Sequence, residues 1–231
     1  METIGPATVK TILDGRTFTA TDGREIRLAG IETPVDGPGA ADAKVALDAL
    51  LTQREITLKR LSAEHDRHGR VPVYVFAAID QPSVQYGLLA AGYARVAAQV
   101  GDAACAAELL RAERAARVAG LGIWALPHYL IRGADNPAAV LTERGRFTLV
   151  EGQVLSVRES GGTIYVNFGR RWSEDFTVTV PKRSEKTFVD AGLELKKLSG
   201  RRVRVRGTIE ERGGPWIEAI RPEQIEIADR N

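Results

Sequence analysis

Between Val9 and Ile31 apolar and polar residues alternate through three short runs, Val9 to Leu13, Thr17 to Thr21 and Glu25 to Ile31, separated by Asp14 with Gly15 and by Asp22 with Gly23. Alternation of period two sends successive side chains to opposite faces of a strand, and Asp-Gly pairs suit the turns of hairpins. The stretch predicts a three-stranded meander. Its first turn carries Asp14 and Arg16, and its last strand leads Arg27 toward Glu32, Thr33 and Pro34. After Pro34 the period changes: Ala40, Ala43, Ala46, Leu47, Leu50 and Leu51 recur at helical spacing within Gly39 to Thr52, with Asp42 and Asp48 toward solvent. Ile56, Leu58 and Leu61 then make a fourth strand and Val71 to Ile79 a fifth. Two helices follow, Val84 to Ala91 stopped at Gly92, and Cys105 to Val118 ending before Gly120 with arginines in its last turns. Meander, helix, two strands and two helices is the order of a five-stranded OB-type barrel with attached helices.

From about Leu130 to Gly145 no period is sustained, and this stretch, with Pro137, reads as a connector or a short helix. Beyond it the pattern is β again. Phe147 to Val157 is a long strand in which Gly152 marks a bend or bulge, and Gly161 with Gly162 turns it into Ile164 to Phe168. Phe176 to Val180, a short helix within Pro181 to Ala191, Arg201 to Ile209, a turn at Gly213 and Gly214, and Pro215 to Ile220 complete the series. Five strands with a helix between the third and fourth predict a second, smaller OB-like β-barrel. The expected organisation is mainly β with α: a first domain at 8–130, a linker at 131–145 and an OB-like domain at 146–228.

The 231 residues are 44% apolar and 27% charged, a globular composition long enough for two cores. No apolar run approaches the roughly 18 residues of a membrane span. The net charge of +2 is too small to argue by itself for a polyanion partner, although it divides into −1 over residues 1–140 and +3 over 141–231. Cys105 is the single cysteine, which excludes an internal disulfide and a Cys-rich zinc site, and it reads as a small buried helix residue. His65 and His68, beside Glu64 and Asp66, have metal-like spacing but no third imidazole nearby, and read as solvated loop side chains. METIGPAT lacks the basic and apolar regions of a signal peptide, yet Met1 is the one methionine and fits a start placed after a removed targeting segment. The compartment, secreted or periplasmic included, therefore stays open.

Four stretches carry a resemblance: ILDGRTFTATDGREIRLAGIETP, DRHGRVPVYV, SVQYGLLAAGYARV and the ending E-x-x-A-R-x-x-G-x-G-I-W-A. In this order, over about residues 8–130, they resemble the staphylococcal-nuclease-like (thermonuclease) family. The resemblance implies one Ca²⁺ held by two carboxylates and a backbone carbonyl, a glutamate shortly after T-P acting on the attacking water, and two arginines clamping the phosphate. Arg27 and Arg70 match the arginines, Glu32 stands where a metal carboxylate, normally aspartate, belongs, and Thr33 stands where the carbonyl donor belongs. Two positions depart from the pattern. The other metal carboxylate is replaced by Arg16, whose charge repels a cation, and the glutamate by Val35, which accepts no proton. The expectation is a degenerate, non-hydrolytic site in which Arg16 takes the cation's place and pairs with Glu32. Arg27 and Arg70 then hold an anion without cutting it, and no cofactor is needed, Ca²⁺ being required only if the site hydrolyses. The alternatives are an active metal-dependent phosphodiesterase in which Asp14 or Asp36 substitutes, and a pure protein-interaction module.

Trp124 and Tyr129 read as pins holding the end of the last helix to the barrel. In the second domain the binding candidates are Tyr165, with Asn167 beside it on the same strand face, and Arg170, Arg171 and Trp172 in the following loop. In R-R-V-R-V-R the side chains of Arg202, Arg204 and Arg206 share one strand face opposite Val203 and Val205. Such a face suits single-stranded nucleic acid, an acidic protein or another copy of the chain. Phe168, Trp172, Phe176 and Trp216 equally suit a core.

Overall fold

The computed structural model describes residues 1–52, 54–61, 70–78, 81–171 and 173–228, which divide into two compact units, Met1–Tyr129 and Leu130–Asn231. The expected histidine pair, His65 and His68, lies outside the described residues, as does Trp172.

In the first unit the meander forms from β1 (Glu2–Asp14), β2 (Thr17–Ala20) and β3 (Glu25–Leu28), each pairing antiparallel with the next. Asp14 and Asp22 close the two turns by accepting the backbone N–H of Arg16 at 2.8 Å and of Arg24 at 3.0 Å, the local bond that makes aspartate a turn former. The chain continues through β4 (Ile31–Glu32), α1 (Ala40–Leu51), β5 (Glu55–Arg60), β6 (Val71–Phe76), α2 (Val84–Ala90), β7 (Arg95–Val96) and α3 (Ala103–Val118). Strands β1, β2, β3, β6 and β5 close into a barrel in that order, with β3 and β6 parallel. Its interior is Phe18, Ile26, Leu28, Ile56, Leu58 and Val75, all buried. Closure requires one strand to serve two neighbours. Accordingly β1 starts at Glu2 rather than Val9: its first half pairs with β5 from Glu2 opposite Arg60 to Thr8 opposite Glu55, with a register shift at Gly5.

The helices take their places from caps and apolar stripes. Ser83 accepts the Tyr86 N–H at 3.2 Å at the start of α2, and Asp102 accepts the Cys105 N–H at 2.9 Å at the start of α3. Helix α1 buries Ala43, Leu47 and Leu51. Cys105 is half-buried rather than buried, because it sits in the first turn of α3, near the end that faces solvent. After α3 the buried Trp124 lies under the Arg117 guanidinium, 5.6 Å from its ring, and the Tyr129 hydroxyl donates to the Pro38 carbonyl at 2.9 Å.

The second unit contains β8 (Arg132–Gly133), α4 (Pro137–Leu141), β9 (Phe147–Gln153), β10 (Ser156–Ser160), β11 (Thr163–Asn167), β12 (Thr177–Pro181), α5 (Glu185–Asp190), β13 (Arg202–Thr208), β14 (Glu210–Arg212), β15 (Gly214–Glu218) and β16 (Ile225–Ile227). One sheet has the order β10, β11, β12, β15, β14 and the other β16, β13, β9, β8. Strand β9 runs on into β10, and β13 into β14, so both sheets share two continuous stretches of chain. Followed through them, the pairing returns to its start with β12 parallel to β15, which is the strand order of an OB fold. Ile164, Val166, Phe176, Val178, Val203 and Val205 fill its interior.

Two details differ from the sequence reading. The bend in the long strand falls at Val154 and Leu155, between β9 and β10, and not at Gly152. Gly152 instead marks a close approach, since a Cβ there would stand 2.5 Å from the Ala134 Cβ. The stretch 131–145 contributes structure to the second unit. Asn136 caps α4 by accepting the Ala139 N–H at 3.1 Å, Pro137 opens the helix, and Ala134 and Val140 enter the core.

Candidate functional site

The site in the first unit is built at the turn between β1 and β2. Gly15 lets this turn lie against α1: a Cβ on it would stand 2.7 Å from the Ala43 Cβ and 3.1 Å from the Thr33 side chain. That approach carries the Arg16 side chain inward, where the residue is 7% exposed. Its Nη1 donates to the Ile31 carbonyl at 3.1 Å and to the Glu32 carboxylate. Glu32 is held in turn by the ribbon of β4 and β7, in which it stands opposite Arg95. The ribbon is anchored from α3, where the fully buried Glu113 accepts the Val96 N–H at 2.5 Å and pairs with Arg117 at 2.7 Å. Sequence reasoning did not single out Glu113, although it opens the E-x-x-A-R motif.

Arg27 lies on β3 opposite Thr17, the residue after Arg16. Burial pulls its guanidinium below the ordinary arginine range, the positive charges of Arg16 and Arg70 pull the same way, and Glu32 and Asp14 oppose them. Arg16, Arg27, Arg70, Glu32 and Asp14 thus share one electrostatic neighbourhood. Arg70, just before β6, is largely buried and pairs with Glu25 at 3.3 Å. The two arginines that match the phosphate clamp and the carboxylate that matches the metal ligand are brought together, with a third guanidinium among them.

A divalent cation does not fit this donor set. The Glu32 carboxylate, the one matched metal carboxylate, already accepts from Arg16, as does the neighbouring Ile31 carbonyl. Charges of +2 and +1 held 4 Å apart repel by roughly 8 kcal/mol at an effective dielectric of 20, which offsets much of what the single carboxylate, already shared with that guanidinium, could supply. Asp14 is committed to its own turn, and Asp36 is exposed beyond Val35, itself 65% exposed. Among the described residues no group of three or more His, Cys, Asp or Glu side chains gathers into a metal site. Thr33 is buried, and its hydroxyl, like that of Thr17 and the Arg16 Nε, has no protein partner among the described residues.

In the second unit the arginines of β13 are all ion-paired, and their exposure falls along the strand from the exposed Arg202 to the buried Arg206. Arg202 pairs with Glu151 at 2.7 Å, Arg204 with Glu151 and Glu226, and the fully buried Arg206 with Glu226. The reason is register: β13 lies between β9 and β16, and Arg204 stands opposite Glu151 on one side and Glu226 on the other. Acidic residues alternating on the flanking strands were the available signal. Tyr165 projects outward from β11, 37% exposed, with Asn167 beside it. Arg170 and Arg171 are exposed, and Arg171 pairs with Glu174 at 2.8 Å. Phe168 and Phe176 pack ring to ring at 5.0 Å, and Trp216 is buried under the Arg212 guanidinium, 3.7 Å from its ring.

No curated protein matches the chain. Residues 25–126 match the family model described as staphylococcal nuclease homologue.

Proposed function

Residues 25–126 are a staphylococcal nuclease homologue domain, from a family of nucleases and nucleic-acid binders, and from that premise we propose that this chain holds phosphodiester backbones without hydrolysing them. The observation that carries the reading is the Arg16 guanidinium donating to Glu32 and to the Ile31 carbonyl. It supplies positive charge where the family keeps its metal, but a guanidinium has no coordination position at which to bind and activate a water as a metal ion does. Val35 offers no proton acceptor at the position of the general base. Arg27 and Arg70 present the planar donors that suit phosphate oxygens, so backbone binding is retained while the hydrolytic step is not.

The test is a paired binding and cleavage assay on labelled single- and double-stranded DNA and RNA. Wild-type protein is expected to bind in a salt-sensitive manner, insensitive to EGTA, with no cleavage in Ca²⁺, Mg²⁺ or Mn²⁺. The Arg16→Asp, Val35→Glu double variant is expected to gain Ca²⁺-dependent cleavage. Wild-type cleavage abolished by EGTA and by Arg70→Ala overturns the proposal in favour of an active phosphodiesterase, and the absence of salt-sensitive binding overturns it in favour of a protein-interaction module.

A further inference from the structure

The outward face of the sheet from β10 to β15 is ordered by its register into two cross-strand rows. Arg158, Tyr165, Thr179 and Glu218 stand side by side in one, and Ser156, Asn167, Thr177 and Trp216 in the next. Tyr165 and Asn167 line two clefts at once. One, of about 670 Å³, is lined also by Arg158, Arg170, Ser156 and Ser160, with no carboxylate among its lining residues. The other, of about 260 Å³, holds Thr177, Thr179, the Arg212–Trp216 stack and two carboxylates, Asp175 and Glu218. Around this face the cations of the unit are mostly neutralised, in the pairs of Arg171 with Glu174, Arg202 with Glu151, and Lys182 with Glu159. Arg158 and Arg170 have no acidic partner among the described residues, and both open onto the same cleft.

A cleft with two uncompensated guanidinium groups, hydroxyl donors and the side of an exposed phenol ring suits a ligand that joins a negative phosphate to a planar ring. A second cleft across Tyr165, lined by hydroxyls, an aromatic edge and the Asp175 and Glu218 carboxylates, disfavours a phosphate and suits the hydrogen-bond-donating edge of the next base of the same ligand. We infer that this face docks single-stranded nucleic acid, with Tyr165 as the stacking ridge between successive bases and Arg158 and Arg170 on the backbone. A duplex keeps its bases stacked within itself and offers them to no such ridge. The Arg202, Arg204 and Arg206 side chains take no part, being engaged with Glu151 and Glu226.

The inference is independent of the clamp in the first unit, and the test separates the two. The full chain carrying Arg27→Ala is titrated with a fluorescent 15-mer of deoxythymidine by anisotropy over a range of salt, alone and with Tyr165→Ala, Tyr165→Phe, or Arg158→Ala plus Arg170→Ala, after circular dichroism shows equal folding. Tyr165→Ala is expected to weaken binding roughly 5- to 150-fold, the span of one lost base stack, and Tyr165→Phe to keep it. Loss of both arginines is expected to lower the slope of log affinity against log salt by about 1.4, at about 0.7 per phosphate contact on a single strand. Binding unmoved by these changes, equal affinity for a matching duplex, or displacement of the 15-mer by an acidic peptide as readily as by unlabelled 15-mer each overturns the inference.

Discussion

Removing either partner of the Arg16–Glu32 pair should destabilise the first unit by unequal amounts, and the inequality follows from their different exposure. The Arg16 side chain is 8% exposed and that of Glu32 30%. In Glu32→Gln the guanidinium stays buried with the Ile31 carbonyl and a neutral amide as partners, among the like charges of Arg27 and Arg70. Leaving a buried charge without its counter-ion costs about 3–5 kcal/mol, and the retained amide acceptor sets the cost near about 3. In Arg16→Met the stranded carboxylate is nearly a third open and rehydrates, methionine fills much of the arginine stem, and repulsion on Arg27 is relieved. The loss is then about 1 kcal/mol, below the about 1.5–3 of a charged hydrogen bond removed without such compensation. The gap of about 2 kcal/mol is a factor of roughly 30 in the opening equilibrium. Native-state hydrogen exchange at the amides of β2 and β3 reads that factor locally, which suits a chain of two units where one bulk transition need not report one unit. The double variant should cost less than the sum of the single ones. If Arg16→Met is as costly as Glu32→Gln, or more so, the guanidinium is not the buried member of this pair and the reasoning fails.

Two further outcomes follow from titratable groups. Burial of Glu151 disfavours its charged form, but Arg202 and Arg204 together outweigh this and hold the carboxyl below its ordinary value of 4.5. A depressed carboxylate contributes stability that is present above the unfolded value and lost as pH falls through the folded one, so the contribution should begin to decline as pH drops below 4.5 and be gone only below the folded value. Acid unfolding followed by circular dichroism should be shallower in Glu151→Gln, and identical curves would remove the argument. Cys105 is pushed up to about 11 by burial first and by Asp102 second, from an ordinary 9.0. Its thiolate fraction at pH 8 is therefore about a hundredfold lower, and alkylation by iodoacetamide, read by mass, should be slower in proportion than for a free thiol. A rate matching the free thiol would show Cys105 to be open.

Much of the first unit was legible because its signals are local. The alternation around Phe18 and Ile26, the Asp-Gly turns and the helical spacing of Ala43, Leu47 and Leu51 each involve neighbours in the chain, and each forms the element expected. The pairing of Arg16 with Glu32 was legible too, through the resemblance and two charges of opposite sign at the matched positions. The first half of β1 was not. Glu2 to Thr8 is mostly exposed and scarcely alternates, and its strand character comes from β5, which closes the barrel. The bend at Val154 and Leu155 was misplaced onto Gly152 because a glycine reads alike whether it turns the chain or admits a neighbour.

The β13 arginines set the boundary most clearly. Alternation alone correctly gave Arg202, Arg204 and Arg206 one face of a strand, opposite the buried Val203 and Val205. Whether that face was a free cationic surface or the inside of an ion-pair ladder depended on partners such as Glu151, which lies 53 residues from Arg204 and meets it only through sheet pairing. Sequence by itself determined the periods, the turns and the identities of Arg16 and Val35, on which the proposed loss of hydrolysis rests, because residue identity and spacing are properties of the chain. Only the tertiary structure decided which arginines keep an unpaired charge. Pairing brings acids and bases together across long stretches of sequence, and the desolvation that follows sets whether a cation serves the fold or is left for a ligand.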